Sequence, residues 1–274
     1  MAARLLRPAL TAPRLARPLV STPKNANGYI SSILHGSAEA RAEGEQELHS
    51  HSEAVARGKY VHQIVKHRVD PGKTDEYKSL VGKYYGSIND KNIGISHVGS
   101  WECVVGELDT FVHIIQFEDG YAGIDAHRAQ LHESPEFSEF RKQTLPLVQK
   151  RDLALAQEFA FLPMHAPVQD LGGVFEFRTY HLRPGALLEW ENEWRRGLAA
   201  RRQHHEPIGA YFQQLGQLHT VTHIWHYKDL QTRKDMRTKS WSIPQWPETV
   251  SNTVKLTYQM NSHIMEALPF SPLR

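Results

Sequence analysis

The chain has 274 residues, 40% of them hydrophobic, enough for one or two ordinary cores. Aromatic and β-branched residues spread from Tyr60 onward disfavour a helix-only or disordered class. Five of the 32 Lys and Arg stand in residues 1–28, so 27 face 30 Asp and Glu in the remainder, which carries no basic stripe or RNA-binding aromatic motif; nucleic acid is not an expected partner.

Residues 1–28 carry Arg4, Arg7, Arg14, Arg17 and Lys24 among leucines, and the first acid is Glu39. This is the composition of a mitochondrial transit peptide, with cleavage expected near Ala26 or Asn27. Prolines 8, 13 and 18 and the arginines interrupt every stretch that would serve as a secretory signal. Residues 29–59 read as a small, polar linker with too little apolar area for a core. No window approaches the roughly 18 apolar residues of a membrane span, so any contact with a mitochondrial membrane is expected to be peripheral. The single cysteine, Cys103, closes no intramolecular disulfide and fits a reducing compartment such as the matrix. Its alternation with Trp101 and Val105 marks it as buried strand filler.

From Tyr60 the pattern becomes regular. Alternation predicts a strand over 60–69, Pro71-Gly72 a turn, and Tyr77, Leu80, Val81 and Tyr84 an amphipathic helix that Thr74 or Asp75 caps. Strands are expected near 95–105 and 109–117, joined as a hairpin. A helical region follows Asp119 and restarts at Ser134-Pro135 with Phe137, Phe140, Leu147 and Val148 on its buried face and a kink at Pro146. Residues 157–162 then supply a closing strand.

The order repeats. Tyr60, Ile64, Val69, Pro71-Gly72, Glu76 and Tyr77 return 113 residues later as Gly173, Phe177, Leu182, Pro184-Gly185, Glu189 and Trp190. Gly106-Glu-Leu-Asp-Thr-Phe-Val-His113 returns 110 residues later as Gly216-Gln-Leu-His-Thr-Val-Thr-His223. The second copy is expected to hold a strand over 173–182 and a helix with the stripe Leu187, Trp190, Trp194 and Leu198. A hairpin over 208–216 and 219–227 and a helix that Asp229 caps follow. The last helix carries Val250, Val254, Tyr258 and Met265, and 262–268 end in a strand. A period near 110 is a domain's length, not a solenoid's. The fold class is therefore α+β: two tandem ferredoxin-like repeats, 60–165 and 166–274, packed sheet to sheet as a tandem barrel.

Seventeen histidines raise the question of a metal. His219, His223 and His226 have zinc spacing on a helix, but the segment alternates as a strand, which points His226 away from the other two; no metal site is expected. His49, His51, His204 and His205 lie in polar stretches and are expected to be solvated. The repeated His113 and His223 stand on central strands among apolar neighbours. Either they are core histidines bonded to backbone, or both line a barrel pocket near the pseudo-two-fold axis, where a neutral imidazole would ligate haem iron or act as a base. Glu176 and Arg178, if buried on one face, must pair with each other or with a ligand. His113, His223 and Arg178 are thus the pocket candidates. The sequence carries no phosphate-binding loop, dinucleotide fingerprint, nucleophile elbow or Cys-x-x-Cys, so no catalytic residue and no cofactor is expected.

Phe175-Glu-Phe-Arg-Thr-Tyr-His-Leu-Arg-Pro-Gly185, Trp190-x-x-x-Trp194, Phe212-x-x-x-Gly216, His223-x-Trp225-x-Tyr227-x-Asp229-Leu-Gln-x-Arg233 and Arg237-x-x-x-Trp241 resemble the motifs of the NipSnap family. The likeness runs from about residue 60 to Ser271-Pro-Leu273, with the specific motifs in the second copy; the His-rich, acidic segment 35–58 departs from it. The resemblance implies a dimeric α/β-barrel fold, mitochondrial residence and, in some members, recruitment of autophagy adaptor proteins to damaged mitochondria. It implies no catalytic residues. The expectation is a scaffold or interaction protein in mitochondrial quality control or vesicle-linked traffic. The alternative is a small-molecule or haem-binding barrel, or a cofactor-free oxygenase. A homodimer is expected, because exposed strand edges at the barrel rim need covering.

Overall fold

Alternating apolar residues on eight segments need two different apolar surroundings, and the chain supplies both by closing its sheet. A computed structural model of the protein describes residues 57–89, 94–162, 169–202 and 204–274; residues 1–56, with the leader and most of the linker, lie outside the described residues. The strands are β1 (Arg57–Val69), β2 (Ile95–Val105), β3 (Thr110–Phe117), β4 (Val148–Phe159), β5 (Val174–Leu182), β6 (Gly209–Leu215), β7 (Thr220–Tyr227) and β8 (Thr257–Ala267). The helices are α1 (Thr74–Gly86), α2 (Gly120–Glu133), α3 (Pro135–Thr144), α4 (Leu187–Arg201), α5 (Leu230–Ser240) and α6 (Trp246–Lys255). Strand order around the closed barrel is β1-β3-β2-β8-β5-β7-β6-β4.

Each half contributes four antiparallel strands, in the orders β4-β1-β3-β2 and β8-β5-β7-β6. The halves are not packed sheet to sheet as two separate layers. They are hydrogen-bonded edge to edge, Glu102 opposite Glu266 in β2–β8 and Gln157 opposite Phe212 in β4–β6. Closure satisfies the edge groups that two open sheets would leave bare, so the strand edges that were expected to need covering are already paired within the chain.

The pleat sorts side chains. Phe111, Ile115 and Phe117 of β3 point outward and pack with Tyr77, Val81 and Tyr85 of α1. Val112 and Ile114 point inward and meet Trp101, Phe177 and Tyr211. The second half repeats the outer layer, with Val221, Trp225 and Tyr227 of β7 against Trp190, Trp194 and Leu198 of α4. Local chemistry sets several boundaries. Ser134 Oγ accepts from the Phe137 amide and Asp229 Oδ1 from the Thr232 amide, so α3 and α5 begin where short polar residues cap them. Asp70 caps the 3₁₀ turn Pro71–Lys73, while the first helix itself has no side-chain cap from Thr74 or Asp75.

Three boundaries differ from the sequence reading. β1 starts at Arg57, so residues 57–59 belong to the strand and not to the expected linker. Leu147 and Val148 are not helical: Pro146 sits in a 3₁₀ turn, Leu145–Leu147, and β4 starts at Val148, nine residues ahead of the expected strand. Tyr258 and Met265 belong to β8, because the helical stripe of Val250 and Val254 stops at Lys255. Cys103 is buried among the lumen residues, as its alternation implied, but Val105 is half exposed at the strand end.

Candidate functional site

One end of the barrel is filled by Trp101, Phe175, Phe177, Tyr211 and Met265, with Trp101 edge-on to Phe177 at 5.1 Å. The other end is open. There the inward residues of β1, β5, β7 and β8 become polar (Lys66, Thr179, Thr222, Asn261 and His263), and a cavity of about 430 Å³ lies between them. That is the size of a small-molecule site. Lys66 and Glu107 form an ion pair on its wall, and the hydrogen bond from Lys66, against the opposing effect of burial, holds the Glu107 carboxyl below its usual range. Burial lowers His181 and His263, and burial raises the Cys103 thiol. The cavity lining thus carries a protonated thiol and neutral imidazoles at pH 7.

An apolar collar surrounds this mouth. Both hairpins turn here, and at corresponding positions they expose Val105 and Leu108 in the first and Leu215 and Leu218 in the second. Tyr258, stacked beside His181 at the start of β8, continues the collar, and each of the five is between 51% and 60% exposed. The hairpins share an unusual backbone. Asp109 and His219 each take a φ of +57°, and Gly106 and Gly216 are positive as well. His219 is therefore a turn residue rather than a strand residue. His226 lies on the opposite face of β7 from His223, so the three-histidine spacing does not converge.

His113 and His223 do not line a common barrel pocket. Both point outward, each under the helices of its own half. His113 is buried and bonded to side chains rather than to backbone. Its Nε2 pairs with the Tyr77 hydroxyl at 2.8 Å and its Nδ1 with the Ser100 hydroxyl at 2.6 Å. Tyr77 also pairs with His67 Nδ1 at 2.7 Å and Ser100 with His97 Nε2 at 2.8 Å. The five groups form a continuous chain that is satisfied with every member neutral and the protons running either way. Burial pushes His67 and His97 down to about 4 and His113 well below its ordinary value. Tyr85 stacks on His113 with centroids 4.2 Å apart.

His223 and Arg178 are brought together on the outer face of the second half, where both line a smaller cavity of about 60 Å³. Glu176 and Arg178 are paired: Glu176 Oε1 accepts from Arg178 at 2.7 Å, from Arg233 at 2.6 Å and from Ser262 at 2.7 Å. Burial pushes the Glu176 carboxyl up, but Arg233, Arg178 and Ser262 outweigh it and hold the group at about 2. His205 is not solvated as its polar neighbours suggested; it stacks on Trp225 at 5.4 Å, and burial brings it to about 4. His204 is exposed. Trp190, Trp194, Trp225 and Trp246 are core, and Trp241 stands exposed at the rim of the smaller cavity.

Sequence reasoning missed Lys66, Tyr77, Ser100 and Arg201. A signal existed for Arg201: it continues the buried α4 stripe of Trp190, Trp194 and Leu198, where a cation has no ordinary place. Lys66 similarly stands on the inward face of β1, in step with His62 and Ile64. Tyr77 and Ser100 carry no such mark, since only the fold brings them to His113.

The architecture is that of an α/β barrel closed within a single chain from two tandem repeats. A solved structure described as an anthrone oxidase-like protein shares it, with a TM-score of 0.57 over 78% of this chain and 93% of that one at 14% identity, a likeness of fold alone. The NIPSNAP family model matches twice, over residues 62–163 and 175–272. Human protein NipSnap homolog 2 is 35% identical over 236 residues, covering 85% of this chain and 82% of the relative. The Drosophila melanogaster protein NipSnap is 31% identical over 225 residues, covering 81% and 82%. The chain belongs to the NipSnap family.

Proposed function

We propose that this chain is a mitochondrial NipSnap protein that works by binding partners at the open mouth of its barrel, in mitochondrial quality control through autophagy adaptor proteins or in vesicle-linked traffic. The observation that carries this reading is the apolar collar. Five exposed large hydrophobic side chains, Val105, Leu108, Leu215, Leu218 and Tyr258, stand around one opening, and exposed apolar surface gathered in one place marks interaction sites in proteins. Mitochondrial residence, in the matrix or peripherally on a membrane, is supported by the acid-free, arginine-rich residues 1–28 and by the family. Among the described residues no helix is long and apolar enough to cross a membrane. The β-α-β-β-α-β order of each half, with its fourth strand beside its first, supports reading each as a ferredoxin-like unit. A homodimer would form through the collar, whose Leu108 and Leu218 positions are related by the internal repeat.

A second reading, a small-molecule-binding barrel, is favoured by the polar cavity of about 430 Å³ inside the same mouth. Native mass spectrometry of the protein purified from its own mitochondria separates the two. Added mass of a few hundred daltons that leaves on denaturation supports the ligand reading. Bare chains, together with loss of adaptor capture in the Leu108→Glu, Leu218→Glu double variant, support the partner reading. Adaptor capture that survives both charges refutes the collar as the docking surface.

A further inference from the structure

On the outer face of the second half, cations and donors outnumber acceptors in a way the fold alone does not explain. The cavity of about 60 Å³ beneath α5 and α6 is lined by Arg178, Arg201 and Arg237 and, among the described residues, by no carboxylate. Glu176, just behind it, already serves Arg178 and Arg233. Arg201 is 3% exposed and held between two indoles, its guanidinium carbon 4.0 Å from the Trp225 ring centroid and 4.3 Å from that of Trp246. Such stacking attracts the faces of the cation. It does nothing for the N–H groups at its edge, and Nε and Nη2 have no hydrogen-bond partner among the described residues. Burial, with Arg237 and Arg178 nearby, lowers this guanidinium to about 10, despite the opposing influence of Tyr227.

His223 adds a further donor. Its Nδ1 receives the Trp225 indole N–H at 2.6 Å. An indole nitrogen only donates, so Nδ1 holds a lone pair. Burial keeps the ring neutral, which leaves the hydrogen on Nε2, and Nε2 is buried without a partner among the described residues. The unpaired groups of Arg201 and His223 are thus all donors, and both residues line the one cavity. A buried donor left unmade costs about 1–3 kcal/mol, more when charged. Water would relieve the hydrogen bonds but not the charge.

We propose that this cavity binds a phosphoryl group, carried on a ligand whose apolar body rests against Trp241 and Val254 at the rim. Three guanidinia around a space of roughly four to six water positions suit a tetrahedral dianion with three terminal oxygens. A carboxylate would meet fewer donors and leave more charge uncancelled. Gly197 makes the enclosure possible, because a side chain there would collide with Thr249 and hold α6 away from α4. The site belongs to the second half alone. At the repeat offsets Arg178, Arg201 and Arg237 answer to Val65, Ile88 and His127, which supply no guanidinium.

The test uses the full chain, with tryptophan fluorescence and thermal unfolding followed against sodium phosphate, phenyl phosphate and benzoate at matched ionic strength in chloride. Phenyl phosphate is expected to change the fluorescence and raise Tm, with inorganic phosphate weaker and benzoate weaker than phenyl phosphate by about tenfold or more. Arg201→Met is expected to abolish the response while the unliganded protein keeps or raises its Tm, since an unmatched buried charge is removed. Arg237→Gln, at the half-buried edge, weakens phenyl phosphate by about tenfold and decides the matter alone if Arg201→Met does not fold. Benzoate binding as tightly as phenyl phosphate would overturn the proposal. So would anions acting no differently from chloride, or both variants binding as the parent does.

Discussion

Acid should unfold this protein earlier than its carboxylates alone would predict, because its buried histidines are held neutral. Burial, partly offset by the hydrogen bond to Gln116, holds His62 at about 4. Burial, partly offset by a backbone bond at Gly99, holds His97 at about 4 as well. The ordinary value is 6.5. Above pH 6.5 neither state binds the proton and the shift contributes nothing. Between 6.5 and 4 the unfolded chain takes up protons that the folded one refuses, so stability falls as pH falls, and it levels off below about 4. Integrated from pH 7 to pH 5, each of the two costs about 2 kcal/mol, or about 4 kcal/mol together. His113 and His223, lowered further, act in the same direction. Glu176, at about 2, loses its contribution only below its ordinary value of 4.5, outside this window. Against a typical domain stability of about 5–15 kcal/mol the histidine effect is large. Urea unfolding at pH 7, 6 and 5 should show the midpoint falling at each step, and His97→Gln should flatten the slope. A midpoint that is constant or rises from pH 7 to 5 refutes the neutral-histidine core.

Other consequences are as direct. Tyr77→Phe removes the hydroxyl between His67 and His113 and should cost about 1–3 kcal/mol in urea unfolding, because a buried ring nitrogen of His113 and a half-buried one of His67 lose their partner. Glu176→Gln should cost about 3–5 kcal/mol, since it strips the charge from beside two guanidinia, and a change below 1 kcal/mol would mean the pair is not buried in solution. Trp101→Ala, in the filled end of the lumen, should cost about 3–5 kcal/mol and leave a cavity that Phe177 cannot close. Leu108→Glu with Leu218→Glu should move stability by no more than about 0.5 kcal/mol, because both side chains are more than half exposed.

The repeat, the element order and most boundaries could be read from the chain because they depend on local spacing. Ser134 and Asp229 announce helix starts, and Pro184-Gly185 echoes Pro71-Gly72 at the same point of the second copy. A barrel was expected, but the edge-to-edge pairing that closes it could not be read, because it rests on pairs such as Glu102 with Glu266, which no periodicity connects. The early start of β4 was hidden by Lys150, Arg151 and Asp152, which are exposed and do not alternate in apolar character. The candidate histidines were found by repetition, but their direction was not. Strand alternation places His113 and His223 on the face shared with Phe111 and Val221; which face looks into the barrel is decided only when the sheet curls.

On that shared outward face the repeated position takes two roles, set by its neighbours. His113 sits opposite Ser100 in β2–β3, and His223 sits opposite Ala210 in β6–β7 at the same register. The α1 residue over the first is Tyr77, and its counterpart in α4 is Trp190. In the first half, therefore, both ring nitrogens find hydroxyls, and the imidazole is tied into a closed polar chain within the core. In the second half both hydroxyl positions have become apolar or donor-only. His223 recovers one bond from Trp225 and keeps one N–H unmatched. The same half gathers arginines where the first has valine, isoleucine and histidine. A lone unmatched donor would be a packing defect that selection for stability removes. An unmatched imidazole beside an unmatched guanidinium in one cavity is instead a coherent arrangement, in which each feature costs stability unless an anion fills the space. The first half uses its histidine to hold the fold, and the second leaves the equivalent residue with a proton to offer.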